Sequence, residues 1–287
     1  MAKNTRKKDQ NMQYKLLALD LDGTLLDDEE NISDNNIYWI QKAAEKGVRI
    51  IVTTGRSYNS AKQYLEKINV PHPTIAFNGA VIRDGSEILQ KITLKDGLLQ
   101  ELFRFLRDME YSPMVYTADG YKYYETFGRY TEDFLSFSKN FESELKKIAH
   151  LSQRKWDNVM RLSVVTGEHD VPLLHAELKK RFGNRIRTID TFFRGWKFWI
   201  FEILDKNCSK ANGIHYLCTR FGIAQKEVIA VGDNHNDLDM ITWAGLGIAM
   251  RNGLEAVLRE ADYVTEHTNN EDGVAEVIQK FLFSSGE

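Results

Sequence analysis

Short apolar runs that end in small polar residues recur along this chain, and they limit the folds available to it. Residues 14–19 end at Asp-Leu-Asp-Gly-Thr, residues 48–52 at Thr-Thr-Gly-Arg, and residues 228–231 at Gly-Asp-Asn. Helix signals separate the runs, since Ser33 is a typical helix N-cap and Gly47 a typical helix stop. Buried strands that alternate with helices form parallel sheets covered on both faces. The pattern therefore predicts an α/β fold with a doubly wound, Rossmann-like parallel sheet.

This rhythm breaks after a third run at residues 74–77. Asp84-Gly85 and Asp119-Gly120 are hairpin-type turns, which favour antiparallel strands. We predict helices near 95–108, 129–148 and 169–182, and strands near 113–118, 121–125, 159–165, 186–193 and 198–204. The sequence thus predicts an α+β cap domain, residues 85–205, inserted into a core of residues 14–84 and 206–287, with residues 1–13 a disordered basic tail.

The composition excludes several classes of protein. Lys and Arg number 38 and Asp and Glu 41, a net charge of −3, which argues against nucleic acid or anionic lipid as the main partner. The mean hydropathy is −0.42, and no apolar run approaches the roughly 20 residues of a membrane helix. Two cysteines are too few for a disulfide framework. We therefore expect a soluble cytoplasmic protein. A monomer or homodimer is a separate expectation.

Two acidic residues stand at the end of the first predicted strand. Asp20 and Asp22 lie two residues apart, so strand geometry would direct both carboxylates to one side, at the edge where parallel sheets bind ligands. Two neighbouring carboxylates are costly unless a cation lies between them, and Mg²⁺ prefers oxygen ligands. An ordinary polar turn after a strand is the alternative, but the spacing favours a magnesium site.

The second run ends in residues suited to an anion. Thr54 supplies a hydroxyl, Gly55 lets the backbone approach a ligand, and Ser57 begins a helix, a combination that resembles a phosphate cradle. A strand-to-helix turn in which Thr54 caps the helix is the alternative. Arg56 is open to either a functional or a surface role.

A lysine and a second acidic cluster complete the candidate site. Lys210, just before a helix, is a point charge that could neutralise a phosphoryl oxygen. Asp233 follows a buried strand, as Asp20 does, and so could complete the metal site, while Asn236 could reach a phosphate or the first carboxylate and Asp237 could hold Lys210. A solvated turn of Asn and Asp residues after a strand is the alternative.

Together these clusters resemble the four motifs of the haloacid dehalogenase (HAD) superfamily of phosphotransferases. The first motif matches residues 20–24, the second 54–56, the third Lys210 and the fourth 232–237. Further segments look like signatures of its Cof-type subfamily, which carries a large α+β cap between the second and third motifs: Phe77-Asn78-Gly79-Ala80, Glu202-Ile203, Ala249-Met250-Arg251-Asn252 and Asn270-Glu271-Asp272-Gly273-Val274. Ala211 is a departure, because the family more often has Gly directly after the lysine.

The resemblance implies a Mg²⁺-dependent phosphatase that acts on a small phosphorylated metabolite such as a sugar phosphate. Asp20 would attack phosphorus and form an aspartyl-phosphate, and Asp22 would protonate the leaving oxygen and then activate water. Mg²⁺ would be bound by Asp20, the Asp22 backbone carbonyl and Asp233. Thr54 and Lys210 would act in catalysis beside them. The phosphoryl oxygens would be held by the Leu21 backbone, Thr54, Gly55, Lys210 and Asn236.

Several alternatives stay open at this point. A phosphomutase with the same aspartyl-phosphate chemistry would fit the motifs equally well. A receiver-type signalling domain or a phosphate-binding module without turnover fits less well, because neither needs both Asp20 and Asp22. The many aromatic residues of the insert, from Tyr116 to Trp199, would form either a substrate surface or a core.

Overall fold

The computed structural model describes residues 14–128, 130, 134, 145–192 and 198–283. Several sequence predictions lie outside these residues: the tail 1–13, most of the helix 129–148, and the candidate cap residues Arg129, Phe193, Arg194, Trp196 and Lys197. Within the described part of the chain, no helix is long and apolar enough to cross a membrane.

The larger of two sheets contains eight described strands. In chain order they are β1 (Leu16–Asp20), β2 (Arg49–Thr53), β3 (Pro73–Ala76), β4 (Val81–Asp84), β5 (Glu87–Lys91), β12 (Val228–Gly232), β13 (Leu246–Ala249) and β14 (Tyr263–Val264). Their spatial order is β14-β13-β12-β1-β2-β3-β4-β5, with the first six parallel and β4 and β5 antiparallel at one edge. All residues of the central strands β1 and β12 are buried, as expected for strands covered on both faces.

Helices cover both faces of this sheet, which confirms the predicted doubly wound core. One face, with Leu17 and Leu19, packs against α1 (Asp34–Glu45), α2 (Tyr58–Ile68) and α8 (Gly273–Leu282). The other face, with Leu16 and Ala18, packs against α5 (Lys210–Phe221), α6 (Leu238–Trp243) and α7 (Glu255–Glu260). The hydroxyls of Ser33, Ser57 and Ser209 accept backbone hydrogen bonds at the N-termini of α1, α2 and α5.

The insert forms a second, six-stranded sheet. Its described strands are β6 (Met114–Thr117), β7 (Lys122–Tyr124), β8 (Leu145–Lys147), β9 (Val159–Thr166), β10 (Ile186–Phe192) and β11 (Trp199–Asp205), in the spatial order β10-β11-β9-β6-β7-β8. All neighbours are antiparallel except β7 and β8. Helices α3 (Asp96–Asp108) and α4 (Asp170–Phe182) pack on one face, and the other face meets core residues that include Phe77 and Val81. The α+β cap is therefore confirmed, and it lies against the loop that follows β3.

Two details differ from the sequence predictions. Residues 145–147 form strand β8, so the predicted helix through residue 148 is wrong at its end. Strand β5 pairs with β4 in the larger sheet, whereas the predicted boundary after Asp84 assigned it to the cap. The Asp84-Gly85 turn joins two strands of the core rather than core to cap, and we propose that the core extends to Lys91.

Several of the described aromatic residues of the insert lie in its core. Tyr116, Tyr123 and Phe198 are each at most 5% exposed. Alternate residues of a half-buried sheet must pack inward, so aromatic side chains on these strands contribute to the core of the cap. Phe127, which is 39% exposed and stacks on Tyr124, is an exception.

Candidate active site

The predicted site residues meet at the carboxyl ends of three neighbouring strands. Asp20 is the last residue of β1, Thr54 follows β2 and Asp233 follows β12, and the sheet order places β1 between the other two. All three residues are at most 9% exposed. The parallel topology therefore gathers polar side chains from distant parts of the sequence at one edge.

Lys210 connects the two acidic motifs. It is the first residue of α5 and fully buried, and its Nζ donates to Asp20 Oδ1 and, at 2.6 Å, to Asp237 Oδ1. The other oxygen of Asp237 accepts the backbone N–H groups of Asp233 and Asn234, both at 3.0 Å. Asp237 thus fixes both the lysine and the loop that carries Asp233.

Gly23 makes room for this arrangement. Its φ is +76°, a conformation that L residues rarely adopt, and a Cβ atom there would lie 2.5 Å from Asp233 Oδ2. The next residue, Thr24, donates from Oγ1 to Asp233 Oδ1 at 3.1 Å. The Asp-Gly-Thr turn therefore brings the first motif against the fourth.

The electrostatics of the carboxylates fit a cation. Oxygen atoms of Asp20, Asp233 and Asp237 lie within 4.8 Å of one another. Burial, with further repulsion from neighbouring carboxylates, raises the pKa of both Asp20 and Asp233, although Lys210 opposes the rise. Because Asp237 already accepts from Lys210 and two backbone groups, Asp20 and Asp233 are the carboxylates left to hold a divalent metal.

Asp22 is separate from this cluster. The strand ends at Asp20, so the alternation of strand side chains does not continue to Asp22. Its carboxylate instead binds Arg56, with Nε at 2.9 and 3.0 Å and Nη2 at 2.5 Å. Arg56 also binds Glu30 at 2.6 Å, and Glu30 accepts from Tyr64 at 2.6 Å. Arg56 therefore binds a candidate site residue, whereas the sequence left open whether Arg56 has a functional or a surface role.

The Thr54–Arg56 turn has the features of an anion site. Ser57, not Thr54, caps α2. The Thr54 hydroxyl accepts the backbone N–H of Arg56 at 3.0 Å, which leaves its own hydrogen for another acceptor. The carbonyl of Gly55 accepts from Arg161 of the cap at 2.8 Å.

A strained loop after β3 touches the other motifs. Phe77, Asn78 and Gly79 have φ values of +49°, +51° and +98°, and positive φ is unusual for a bulky residue such as Phe. The Phe77 and Asn78 backbone N–H groups donate to the carbonyls of Arg56 and Thr54. The Asn78 side chain donates to Glu202 at 2.6 Å and accepts from Asn236 at 3.0 Å.

The sequence reasoning thus named several residues that the structure brings together and missed others. Asp20, Lys210, Asp233 and Asp237 form one cluster. Thr54 and Asn236 both contact Asn78, and Leu21 is buried beside Asp20. Asn78, Arg161 and Glu202 were not singled out as site residues. Two of them, Asn78 and Glu202, lie in Cof-type signatures outside the four motifs, and these signatures could have identified them as site residues.

His235, in the loop of the fourth motif, contacts the cap. Its Nδ1 hydrogen-bonds Asp190 of the cap at 2.8 Å, and His175 Nε2 binds the other oxygen of Asp190 at 2.7 Å. His235 and Asp190 line an open cleft of about 290 Å³ between cap and core. His235 therefore belongs to the contact between the two domains.

Comparisons with known proteins agree with the motifs. The family model for haloacid dehalogenase-like hydrolases matches residues 17–278. The chain is 30% identical over 272 residues to the 5-amino-6-(5-phospho-D-ribitylamino)uracil phosphatase YitU of Bacillus subtilis, covering 93% of this chain and 97% of that one.

Solved structures share the whole architecture. A haloacid dehalogenase-like hydrolase from Bacteroides thetaiotaomicron is 27% identical with a TM-score of 0.75, covering 93% of this chain and 99% of that one. The phosphatase BT1666 from the same organism has a TM-score of 0.81 at 21% identity, covering 96% and 97%. The chain therefore belongs to the haloacid dehalogenase-like hydrolase family, in its Cof-type branch, and is a phosphatase.

Proposed function

We propose that this phosphatase hydrolyses a small phosphate monoester with Mg²⁺ through an aspartyl-phosphate on Asp20. The observation that carries the proposal is the contact of the buried Asp20 carboxylate with Lys210, beside Asp233 and the Thr54 turn. A carboxylate can act as nucleophile on phosphorus when nearby positive charge offsets the charge of the phosphate.

Asp20 provides the attacking atom in the first half of the reaction. One of its carboxylate oxygens forms a bond to phosphorus, and the bond from phosphorus to the ester oxygen breaks. Lys210 Nζ, which binds Asp20 and Asp237, is placed to offset negative charge as the phosphoryl group approaches.

Asp22 moves the protons. It gives a proton to the leaving oxygen in the first half and takes a proton from water in the second, when that water attacks phosphorus and releases Asp20. Arg56 holds the Asp22 side chain, which is 23% exposed. Asp22 is therefore open to water, whereas Asp20 is buried.

The remaining residues hold the phosphoryl group and the metal. Asp20 and Asp233, with the backbone carbonyl of Asp22, would bind Mg²⁺, which supplies positive charge to the phosphoryl oxygens when bound. The proposed phosphate contacts come from donors along the sheet edge: the Leu21 and Gly55 backbone, the Thr54 hydroxyl, Lys210 and the Asn236 amide.

We propose a phosphate ester of a sugar or sugar alcohol as the substrate class. The relative YitU is named for a substrate whose phosphate stands on a ribityl chain. A cytoplasmic location and a monomeric or homodimeric state stay predictions from the sequence.

A phosphate-release screen over sugar phosphates, nucleotides and phosphorylated cofactors tests the proposal. We expect release to require Mg²⁺, to stop with EDTA and to return when Mg²⁺ is restored. Asp20→Asn should lower turnover by about 10³-fold or more in a folded protein. Asp157→Asn, a change of the same kind at an exposed position of the cap, is the matched control.

The screen also separates hydrolysis from transfer. A phosphomutase would return the phosphoryl group to a sugar hydroxyl, so an isomeric sugar phosphate would form in place of free phosphate. Free phosphate in amounts equal to the substrate consumed supports hydrolysis, and an isomeric product would overturn it.

A further inference from the structure

We infer that Arg161 and Glu202 of the cap are positioning residues for phosphate binding, acting through Gly55 and Asn78; the inference rests on the proposed function. Both residues lie on cap strands, β9 and β11, and form an ion pair. They are 8% and 3% exposed. A buried ion pair is weak evidence for stability alone, because an apolar pair of similar volume often stabilises as well.

Both members of the pair reach across to loops of the core. Glu202 Oε2 accepts from Asn78 Nδ2 at 2.6 Å, and Arg161 Nη1 donates to the Gly55 carbonyl at 2.8 Å. The cap thus contacts each of the two loops that adjoin the phosphate site, one with an anion and the other with a cation.

The first chain of contacts ends on Asn236. An ionised carboxylate can only accept hydrogen bonds, so Glu202 requires Asn78 to turn its NH₂ group toward the cap. The Asn78 oxygen then faces Asn236, which must turn its own NH₂ group toward Asn78. Asn236 Nδ2 donates to Asn78 Oδ1 at 3.0 Å. One N–H of Asn236 remains for a phosphoryl oxygen, because an amide nitrogen carries two.

The second chain of contacts ends on Thr54. Arg161 can only donate, and its bond fixes the direction of the Gly55 carbonyl. The C=O and N–H of a trans peptide point in opposite directions, so the Arg56 N–H is directed away from the cap. That N–H donates to the Thr54 hydroxyl at 3.0 Å, which orients Thr54 as a donor toward phosphate.

The backbone between these chains supports a functional reason for the contacts. The positive φ values of Phe77 and Asn78 have an energetic cost, and such strain is typically maintained at ligand sites. Gly79 lies so close to Ser209 that a Cβ atom would be 2.2 Å from its carbonyl oxygen. The loop is therefore fixed against the residue that precedes Lys210.

Glu202→Gln removes the acceptor-only side chain at nearly constant volume. Inorganic phosphate affinity, measured by calorimetry, should fall about tenfold, as when a supporting hydrogen bond behind a ligand is lost. The KM for p-nitrophenyl phosphate should rise with it. Asn236→Ala should have a similar effect, and the double variant should lose little more than either single one.

Two further variants make the test decisive. Asn78→Gly is compatible with the left-handed backbone, breaks the same chain of contacts from the core side, and should match Glu202→Gln if the latter folds poorly. Glu101→Gln removes a cap ion pair, Glu101–Arg185, that contacts neither loop, and should leave phosphate affinity unchanged.

The outcomes are distinguishable from failure of the proposed function. Additive losses, or parent-like phosphate affinity in folded Glu202→Gln and Asn78→Gly, would overturn the positioning role. A parent that binds phosphate but releases none from esters would overturn the proposed function, while the phosphate affinities still decide the positioning role. A parent that binds no phosphate would overturn both.

Discussion

Arg56 holds both oxygens of Asp22, and its replacement tests whether proton transfer depends on this contact. Arg56→Lys keeps the charge but loses the planar fork that binds a carboxylate at two points. We expect Asp22 to sample more orientations, so that fewer encounters place it beside the leaving oxygen. The step that needs a proton should slow.

The size of the effect follows from the exposure of the pair. A hydrogen bond to a charged group contributes roughly 1.5–3 kcal/mol. The Arg56 and Asp22 side chains are 22% and 23% exposed, so solvent screening places this pair at the lower end. About 1.4 kcal/mol corresponds to a tenfold change in rate. We therefore expect a loss of about tenfold in kcat/KM for substrates that need the proton.

The assay compares two leaving groups. A sugar phosphate leaves as an alkoxide that must be protonated, whereas the nitrophenolate of p-nitrophenyl phosphate leaves without a proton. Arg56→Lys should lower kcat/KM for the first and change the second little, because kcat/KM reports loss of transition-state stabilisation relative to free enzyme and substrate. The exposed Lys62, paired with Glu66 on the same helix at 3.6 Å, provides the control Lys62→Ala. Equal losses for both substrates, or no loss, would refute the positioning of Asp22 by Arg56.

Two other changes probe the turn of the first motif and the contact between domains. Gly23→Ala places an L residue at φ +76° against Asp233, so we expect a loss of about 1–2 kcal/mol in the free energy of unfolding and weaker Mg²⁺ binding, measured by urea titration and calorimetry. For Asp190, burial raises the pKa, but hydrogen bonds from His175 and His235 outweigh it and hold the pKa well below the usual value. The ionised Asp190 carboxylate thus stabilises the protein above its unfolded pKa of about 3.9, and this contribution is lost as the pH falls toward its folded pKa. Asp190→Asn should therefore make the free energy of unfolding decline less steeply below about pH 4. An unchanged Mg²⁺ affinity in the first variant, or an unchanged acid slope in the second, would contradict these expectations.

The sequence predicted the parts of the fold that are repeated and local. Apolar runs such as residues 228–231 have the length and flanks of buried strands, and each site residue at their ends follows from the parallel topology. The antiparallel edge of the core was harder to predict. Strand β5, with Glu87 and Lys91, is largely exposed and polar, so only its pairing with β4 assigns it to the core.

Some residues of the candidate site could likewise be predicted from local sequence, and others could not. Asp20 and Asp233 stand at strand ends and are visible as motifs, whereas the Arg56–Asp22 pair depends on a turn that leaves the strand geometry. Glu202 contacts Asn78, and Arg161 contacts Gly55, in each case across more than a hundred positions of the sequence. These contacts arise only because the cap packs on the loop after β3. Such contacts are set by domain packing, which no local pattern encodes.

The central claim is that Asp20 carries the phosphoryl group, and trapping that intermediate tests it most directly. In Asp22→Asn, p-nitrophenyl phosphate should still phosphorylate Asp20, because its leaving group needs no proton, but water should no longer be activated. Acid quenching followed by peptide mass spectrometry should then find phosphate on the peptide that contains Asp20, and none in the Asp20→Asn, Asp22→Asn double variant. Steady phosphate release with an unmodified Asp20 peptide, or phosphate on a different residue, would contradict the mechanism.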